Sequence, residues 1–174
     1  RVEDLAALNL GSDDEPRVLG RKNAGKLMQA VERARKLPLD RWLNALGIPH
    51  AGAATSAEIA RLHADLESVA GSQPLEDLVE LFRCQARLKQ AGSDAALSAR
   101  IEELGARLAA LGWVRPSASA SSGSRRPAYV STRIGPKTAS AILAFFRSET
   151  GRRILGRLRE LGIAPRGKAA GSDG

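Results

Sequence analysis

Three times along this chain a glycine is followed four residues later by a small residue and, three beyond that, by an aliphatic one: Gly20/Ala24/Leu27, Gly52/Ser56/Ile59 and Gly135/Ala139/Ile142. Those offsets put the small and the aliphatic residue on one face of a helix starting just past the glycine, where a neighbouring helix can approach closely. The second copy shows what precedes such a helix. Leu39, Trp42, Leu43 and Leu46 recur at i, i+3, i+4 and i+7, Pro38 suits a helix start, and Gly47 ends the run before the short connection "GIPHAG". The unit is therefore helix, tight hairpin, helix. "VEDLAAL" offers a helix before the first copy, interrupted by the acidic turn "GSDDEP", whereas "SRRPAYVST" before the third is a poor helix former.

A different pattern separates the second and third copies. Leu97, Ile101, Leu104, Leu108 and Leu111 step by 4, 3, 4, 3, and Leu75, Leu78 and Phe82 supply a facing stripe. With Gly92 and Ser93 at the turn, this predicts an antiparallel helical hairpin over about 74–113. Ala, Leu and Arg dominate the chain while Val and Ile are scattered, so the expected class is all-α. The organisation read from these signals is two hairpin motifs over 1–72, an inserted helical hairpin over 73–115, and a flexible Ser-rich linker over 116–128. A last hairpin motif with a closing helix follows over 129–163, and 164–174, "APRGKAAGSDG", reads as a disordered tail or linker.

The net charge of +8 suits a polyanionic partner but equally an ordinary protein of a GC-rich genome, and its distribution is more telling than its size. Residues 17–41 carry eight Lys/Arg against two acids and 125–168 carry eleven against two, whereas 42–124 carry seven against nine. A single cysteine, Cys84, excludes an internal disulfide and a cysteine-based zinc site, and in its helical run it reads as a small apolar residue. No stretch approaches the length of a membrane span, no signal peptide is present, and the expected setting is cytoplasmic.

In "RIGPKTASAILAFF" a lysine stands beside a helix N-terminus, where the helix dipole is already positive. That placement costs about 0.3–1 kcal/mol unless something negative sits there. A glycine at such a turn can take φ > 0 and has no side chain to keep a ligand from the backbone. Free N–H groups and the dipole then point at one place, an anion site that reads backbone rather than bases. The candidate DNA-binding residues are Gly20, Arg21, Lys22 and Asn23 in the first copy, Gly52 and Thr55 in the second, and Gly135, Lys137 and Thr138 in the third. The second turn has Ile48, Pro49 and His50 instead of a cation, so it binds by backbone alone or serves packing. His50 reads as a polar turn residue, His63 as structural, Trp42 as a core anchor, and Trp113 as packing rather than stacking on a base. The arginines at 152, 153, 157 and 159 form either a solvated face or a second backbone contact.

The stretches "LGRKNAGKLMQAVERARKLPLDRWLNALGIPHAGAATSAEIA" and "RIGPKTASAILAFFRSETGRRILGRLRELGI" resemble the helix-hairpin-helix region of bacterial NAD-dependent DNA ligases, over about half the chain. The resemblance implies a repeated-hairpin domain that grips nicked or intact duplex DNA by its sugar-phosphate backbone, in a bacterial, nucleoid-associated protein that seals nicks in replication and repair. It also implies NAD, Mg and Zn for the parent ligase and none for this fragment, which is expected to be a monomer within a larger chain. Val18 departs from the family's usual first glycine in the first hairpin. No lysine begins the "KxDG" adenylation motif and the zinc cysteines are missing, so catalytic residues are not expected here and the fragment alone should be inactive. Two other readings remain open: a helix-hairpin-helix adaptor of another repair or recombination protein, and a helical scaffold whose heptad hairpin is the functional element.

Overall fold

In the computed structural model, residues 1–12, 14–117 and 127–168 are described. They are predominantly helical with one small two-stranded sheet, as the all-α expectation requires. They fall into two units, Arg1–Leu37 and Pro38–Gly174.

The first unit holds α1 (Val2–Ala6) and α2 (Arg21–Arg35), packed on each other. The connection folds back on itself through an antiparallel bridge between Asn9 and Val18. Asn9 Oδ1 accepts the Gly11 and Arg17 N–H groups, each at 2.9 Å. Leu19 N–H then donates to Leu8 O and Gly20 N–H to Ala6 O, each at 3.1 Å, which sets Gly20 at the start of α2. Ala24 is fully buried, but Leu27 is 44% exposed, so in the first copy only the small residue of the pair faces a packed surface.

The second unit begins with α3 (Leu39–Ala45) and α4 (Ala53–Leu62), the helix, tight turn and helix expected around "GIPHAG". Gly47, with φ of 64°, turns the chain left-handed past the end of α3, a conformation an L-residue takes at a cost of about 1 kcal/mol or more. Next come α5 (Leu66–Ala70), α6 (Gln73–Ala91) and α7 (Ala95–Ala110). The last two form the hairpin read from the heptad spacing. Leu75, Leu78 and Leu81 of α6 and Ile101, Leu104 and Leu108 of α7 are all fully buried.

Strands β1 (Val114–Pro116) and β2 (Tyr129–Ser131) pair antiparallel, Val114 opposite Ser131 and Pro116 opposite Tyr129. Ser117 N–H also donates to Ala128 O at 2.8 Å, so the two ends of the Ser-rich stretch lie side by side; residues 118–126 lie outside the described residues. Helix α8 (Pro136–Arg147) packs on α6 and on α9 (Glu149–Glu160), with Ser148 ending one helix and capping the next. The stretch read as a tail or linker from 164 is held against the fold as far as Gly167. Leu39 N–H donates to Arg166 O at 2.9 Å and Gly167 N–H to Ala64 O at 2.8 Å. Residues 169–174 lie outside the described residues.

Candidate nucleic-acid interface

Each glycine of the repeat is the residue immediately before a helix: Gly20 before α2, Gly52 before α4 and Gly135 before α8. Four residues on, Ala24, Ser56 and Ala139 are fully buried, and each N–H donates back to its glycine's carbonyl at 2.9, 2.9 and 3.0 Å. The small residue is therefore what lets each helix start lie close to its support. Ile59 and Ile142 are buried behind it.

These three helix starts have no side-chain cap and no acid in the first turn. The contrast lies within the same chain. Asp65, Ser72, Asp94 and Ser148 cap α5, α6, α7 and α9, accepting first-turn N–H groups at 2.9 to 3.3 Å. At α3, uncapped by Pro38, Asp40 occupies the first turn and the Leu39 N–H is taken by Arg166 O. In α2 the N–H groups of Arg21, Lys22 and Asn23 are left open, in α4 those of Ala53, Ala54 and Thr55, and in α8 those of Lys137 and Thr138. Open donors at the positive end of a helix form an anion site.

The side chains follow the same register. Position two of the helix is Lys22 in α2 and Lys137 in α8, both exposed and outside any ion pair among the described residues. Position three is polar in all three, Asn23, Thr55 and Thr138. Asn23 also serves the turn, its Nδ2–H donating to Leu19 O at 3.0 Å. Arg21 is exposed at position one of α2, where α8 has Pro136, which gives up no needed donor.

The glycines are there for different reasons. Gly20 has φ of 75° and ψ of 152°, a region essentially reserved for glycine. Gly52 and Gly135 have φ of −73° and −82°, extended backbone that any residue adopts, so neither turn is left-handed there. A Cβ built on any of the three meets nothing within 4 Å. Nothing inside the protein asks for a bare backbone at Gly52 or Gly135.

Within the second unit, the turn before α4 and the start of α8 share one open groove of about 550 Å³, lined by Pro49 and His50 on one side and by Pro136, Lys137 and Ser140 on the other. Val79, Phe82 and Arg83 of α6 form its third side. His50, with φ of 65°, is a non-glycine residue in left-handed backbone, and its side chain is exposed. Arg83 is a candidate that sequence reasoning missed. It lies in a hairpin given no task, and only the packing of α8 on α6 carries it to Lys137.

Behind this surface, Glu58 of α4 ties the two helix starts together. Its Oε1 accepts from Arg61 Nη2 at 2.7 Å and from Trp113 Nε1 at 3.0 Å, and its Oε2 lies 3.4 Å from Nη1 of Arg133 in the loop entering α8. Burial works most strongly against its charge, but the hydrogen bonds of Arg61 and Trp113 and the two guanidinium charges outweigh it and hold the carboxyl below its ordinary range. Trp113 is fully buried and cannot stack on a base. Trp42 packs half-buried against the core. His63 is structural: Nδ1–H donates to Ile59 O at 2.8 Å, while Nε2 accepts from the Ser72 hydroxyl at 2.7 Å. Burial lowers its pKa and keeps the ring neutral. Cys84 is buried, and no group of three His, Cys, Asp or Glu among the described residues could hold a metal ion. No helix among them is long and apolar enough to cross a membrane.

Compared with known proteins, the chain is 35% identical to a DNA ligase of Akkermansia muciniphila, in a match taking in 96% of this chain and 23% of that one. It is 28% identical to DNA ligase 1 of Opitutus terrae over 83% of this chain and 14% of the relative. A DNA ligase of Paracoccus denitrificans is 37% identical over 47% of this chain and 10% of its own. The chain corresponds to a segment of DNA ligases. It spans less than a quarter of the length of each of these ligases. The Akkermansia match runs across nearly the whole segment, so the α6–α7 hairpin falls within a ligase-like stretch as the glycine-led helices do. No protein-family model matches the segment, and no solved structure does.

Proposed function

We propose that this chain grips duplex DNA by its sugar-phosphate backbone, without regard to base sequence, through a helix-hairpin-helix array belonging to an NAD-dependent, nick-sealing ligase. The observation that carries this reading is the selective absence of caps. Four helices of the chain close their N-termini with Asp or Ser, whereas the three that follow the repeated glycines keep theirs open and place lysines, not acids, beside two of them. Phosphate oxygens accept from backbone N–H groups and from lysine alike, and such contacts position a protein on a duplex without reading bases. Gly20, Arg21, Lys22 and Asn23, then Gly52 and Thr55, then Gly135, Lys137 and Thr138 are the proposed contacts. The proposed domain division keeps hairpin motifs in 1–72 and 129–163 with the helical hairpin of 73–115 between them.

In this reading the segment holds the duplex while the adenylation chemistry, with its NAD, Mg and Zn, resides in the rest of the parent ligase. One buried cysteine and no "KxDG" lysine fit a binding segment better than a catalytic one. The scaffold alternative loses its main support, because the heptad residues Ile101, Leu104 and Leu108 are consumed inside the protein and leave no free seam for a partner helix.

Salt dependence of binding to a labelled nicked duplex tests the proposal. Replacing both Lys22 and Lys137 by Gln should lower the slope of log K against log salt by about 1.8, at about 0.9 per phosphate released. Two unrelated duplex sequences should bind alike. A double variant with an unchanged slope, or a strong sequence preference, would sink the reading.

A further inference from the structure

We infer that the α6–α7 hairpin forms the third side of the backbone-binding groove and that Arg83 is a phosphate ligand; this rests on the reading above and extends it to a segment that reading leaves idle. Arg83 lines the groove that also receives His50 from the turn before α4 and Lys137 from the start of α8. Among the described residues no acid lines that groove. Its floor is apolar, with Val79 and Phe82 of α6 facing Ala141 and Ala144 of α8. A sugar-phosphate strand matches this composition: deoxyribose carbons lie against the apolar floor while phosphates meet the cations along the rim.

A second observation concerns what Arg83 does not do. Three residues before it on the same helix stands Glu80, the natural ion-pair partner on a helix surface. That carboxylate is taken by Arg100 of α7, whose Nε and Nη2 reach its two oxygens at 2.9 Å each. Glu76, which lines the adjoining groove with Arg83, is taken by Arg147 of α8. Both acids next to Arg83 are thus hydrogen-bonded by other arginines, and Arg83 adds only its charge to those that lower the Glu80 carboxyl pKa. Arg83 is left exposed and without an ion pair among the described residues, on the ridge between that adjoining groove and the one it shares with Lys137. The hairpin partner α7 supplies the arginine that bonds Glu80 in its place.

The occupant we commit to is the backbone of a DNA duplex, because the charged residues lining the groove, among the described residues, are the cations Arg83 and Lys137, and the open N-terminus of α8 borders it. The test uses the whole chain and a fluorescein-labelled nicked duplex, with anisotropy followed across a salt series. Arg83→Gln should weaken binding and lower the salt slope by about 0.9, Arg83→Lys should retain the slope, and Lys137→Gln with Arg83→Gln should lower it by about 1.8. Arg87→Gln removes the same charge from the same helix one turn on, outside the groove, and should leave the slope unchanged. Because Arg83 is exposed, thermal midpoints of these variants should match the parent. If Arg83→Gln keeps the parental slope while Lys137→Gln loses its share, the hairpin is no part of the site, although the helix start of α8 still is. If neither changes it, the proposed interface falls together with this inference. Equal losses in Arg83→Gln and Arg87→Gln would reduce the effect to general charge and overturn the assignment. So would a loss of polyglutamate binding in Arg83→Gln with duplex binding intact, since the groove would then take an acidic polypeptide.

Discussion

Replacing Gly135 by Ala adds one methyl group at the mouth of α8 and changes nothing else that the fold can feel. The backbone there has φ of −82° and ψ of 159°, open to any L-residue, and the new Cβ has no heavy atom within 4 Å. Two small terms act on stability. Alanine is a poorer residue than glycine before a helix, by about 0.5–1 kcal/mol. It also restricts the unfolded chain, which returns about 0.4–1 kcal/mol. They nearly cancel, so the net change should be within about 0.5 kcal/mol and the melting midpoint within about 3 °C of the parent. Binding has no such compensation. The methyl stands where a phosphate must approach the N–H groups of Lys137 and Thr138, and losing hydrogen bonds to a charged acceptor costs about 1.5–3 kcal/mol. Affinity for a nicked duplex should drop by about 10- to 150-fold. Anisotropy titration at one fixed salt concentration measures the second quantity and circular dichroism melting the first. A variant that melts and binds like the parent would refute the argument that bare backbone at Gly135 is kept for a ligand. Gly20 is the less informative site, because its φ of 75° makes alanine there strained by about 1–3 kcal/mol whether or not DNA binds.

Three further outcomes follow from the second unit. Glu58→Ala should destabilise by about 1–3 kcal/mol, because the fully buried Trp113 loses the acceptor of its Nε1–H; denaturant unfolding with tryptophan fluorescence measures it, and an unchanged midpoint would contradict the role assigned to Glu58. Gly151→Ala should lower the melting midpoint by about 3–10 °C, since its Cβ would lie 2.0 Å from Phe145 O where α9 turns off α8, and backbone cannot move aside cheaply. For His63 the folded pKa is lowered, so the unfolded chain takes up the proton first. Stability from this group is fully present above about pH 6.5 and is lost as pH falls through the folded value. Urea midpoints measured from pH 7.5 down to 5 should fall in the parent, and His63→Gln should lack that component.

What the sequence made legible is local. Helix starts at Gly20, Gly52 and Gly135 follow from spacing within a dozen residues, and so does the buried stripe Ile101, Leu104, Leu108, because helical periodicity is written into neighbouring positions. The features that stayed hidden depend on distant partners. Nothing near Glu58 in the sequence marks it as buried; its partners Trp113 and Arg133 lie 55 and 75 positions away. Arg83 carries no local mark either, and only the packing of α8 on α6 sets it beside Lys137. The two three-residue strands are too short for periodicity to reveal, and the repeat itself did not tell which glycine needs a left-handed backbone. Gly20 does, while Gly52 and Gly135 do not.

The cost of leaving helices open is itself an argument. A Ser or Asp cap in place of glycine is worth a few tenths of a kcal/mol, so Gly52 and Gly135 together forgo roughly 0.5–1 kcal/mol in a chain whose total stability should lie near 5–15 kcal/mol. This sequence evidently has caps at its disposal, since Asp65, Ser72, Asp94 and Ser148 occupy the corresponding position of four other helices. If the three glycines were mere connectors, Ser or Asp at Gly52 and Gly135 would fit the backbone and the empty space and would stabilise the fold. An aspartate there would also repel phosphate, and any side chain would hold it off. Glycine at those two positions is thus the weaker choice for folding and the better one for contact with a polyanion, and the lysines beside two of the three openings point the same way.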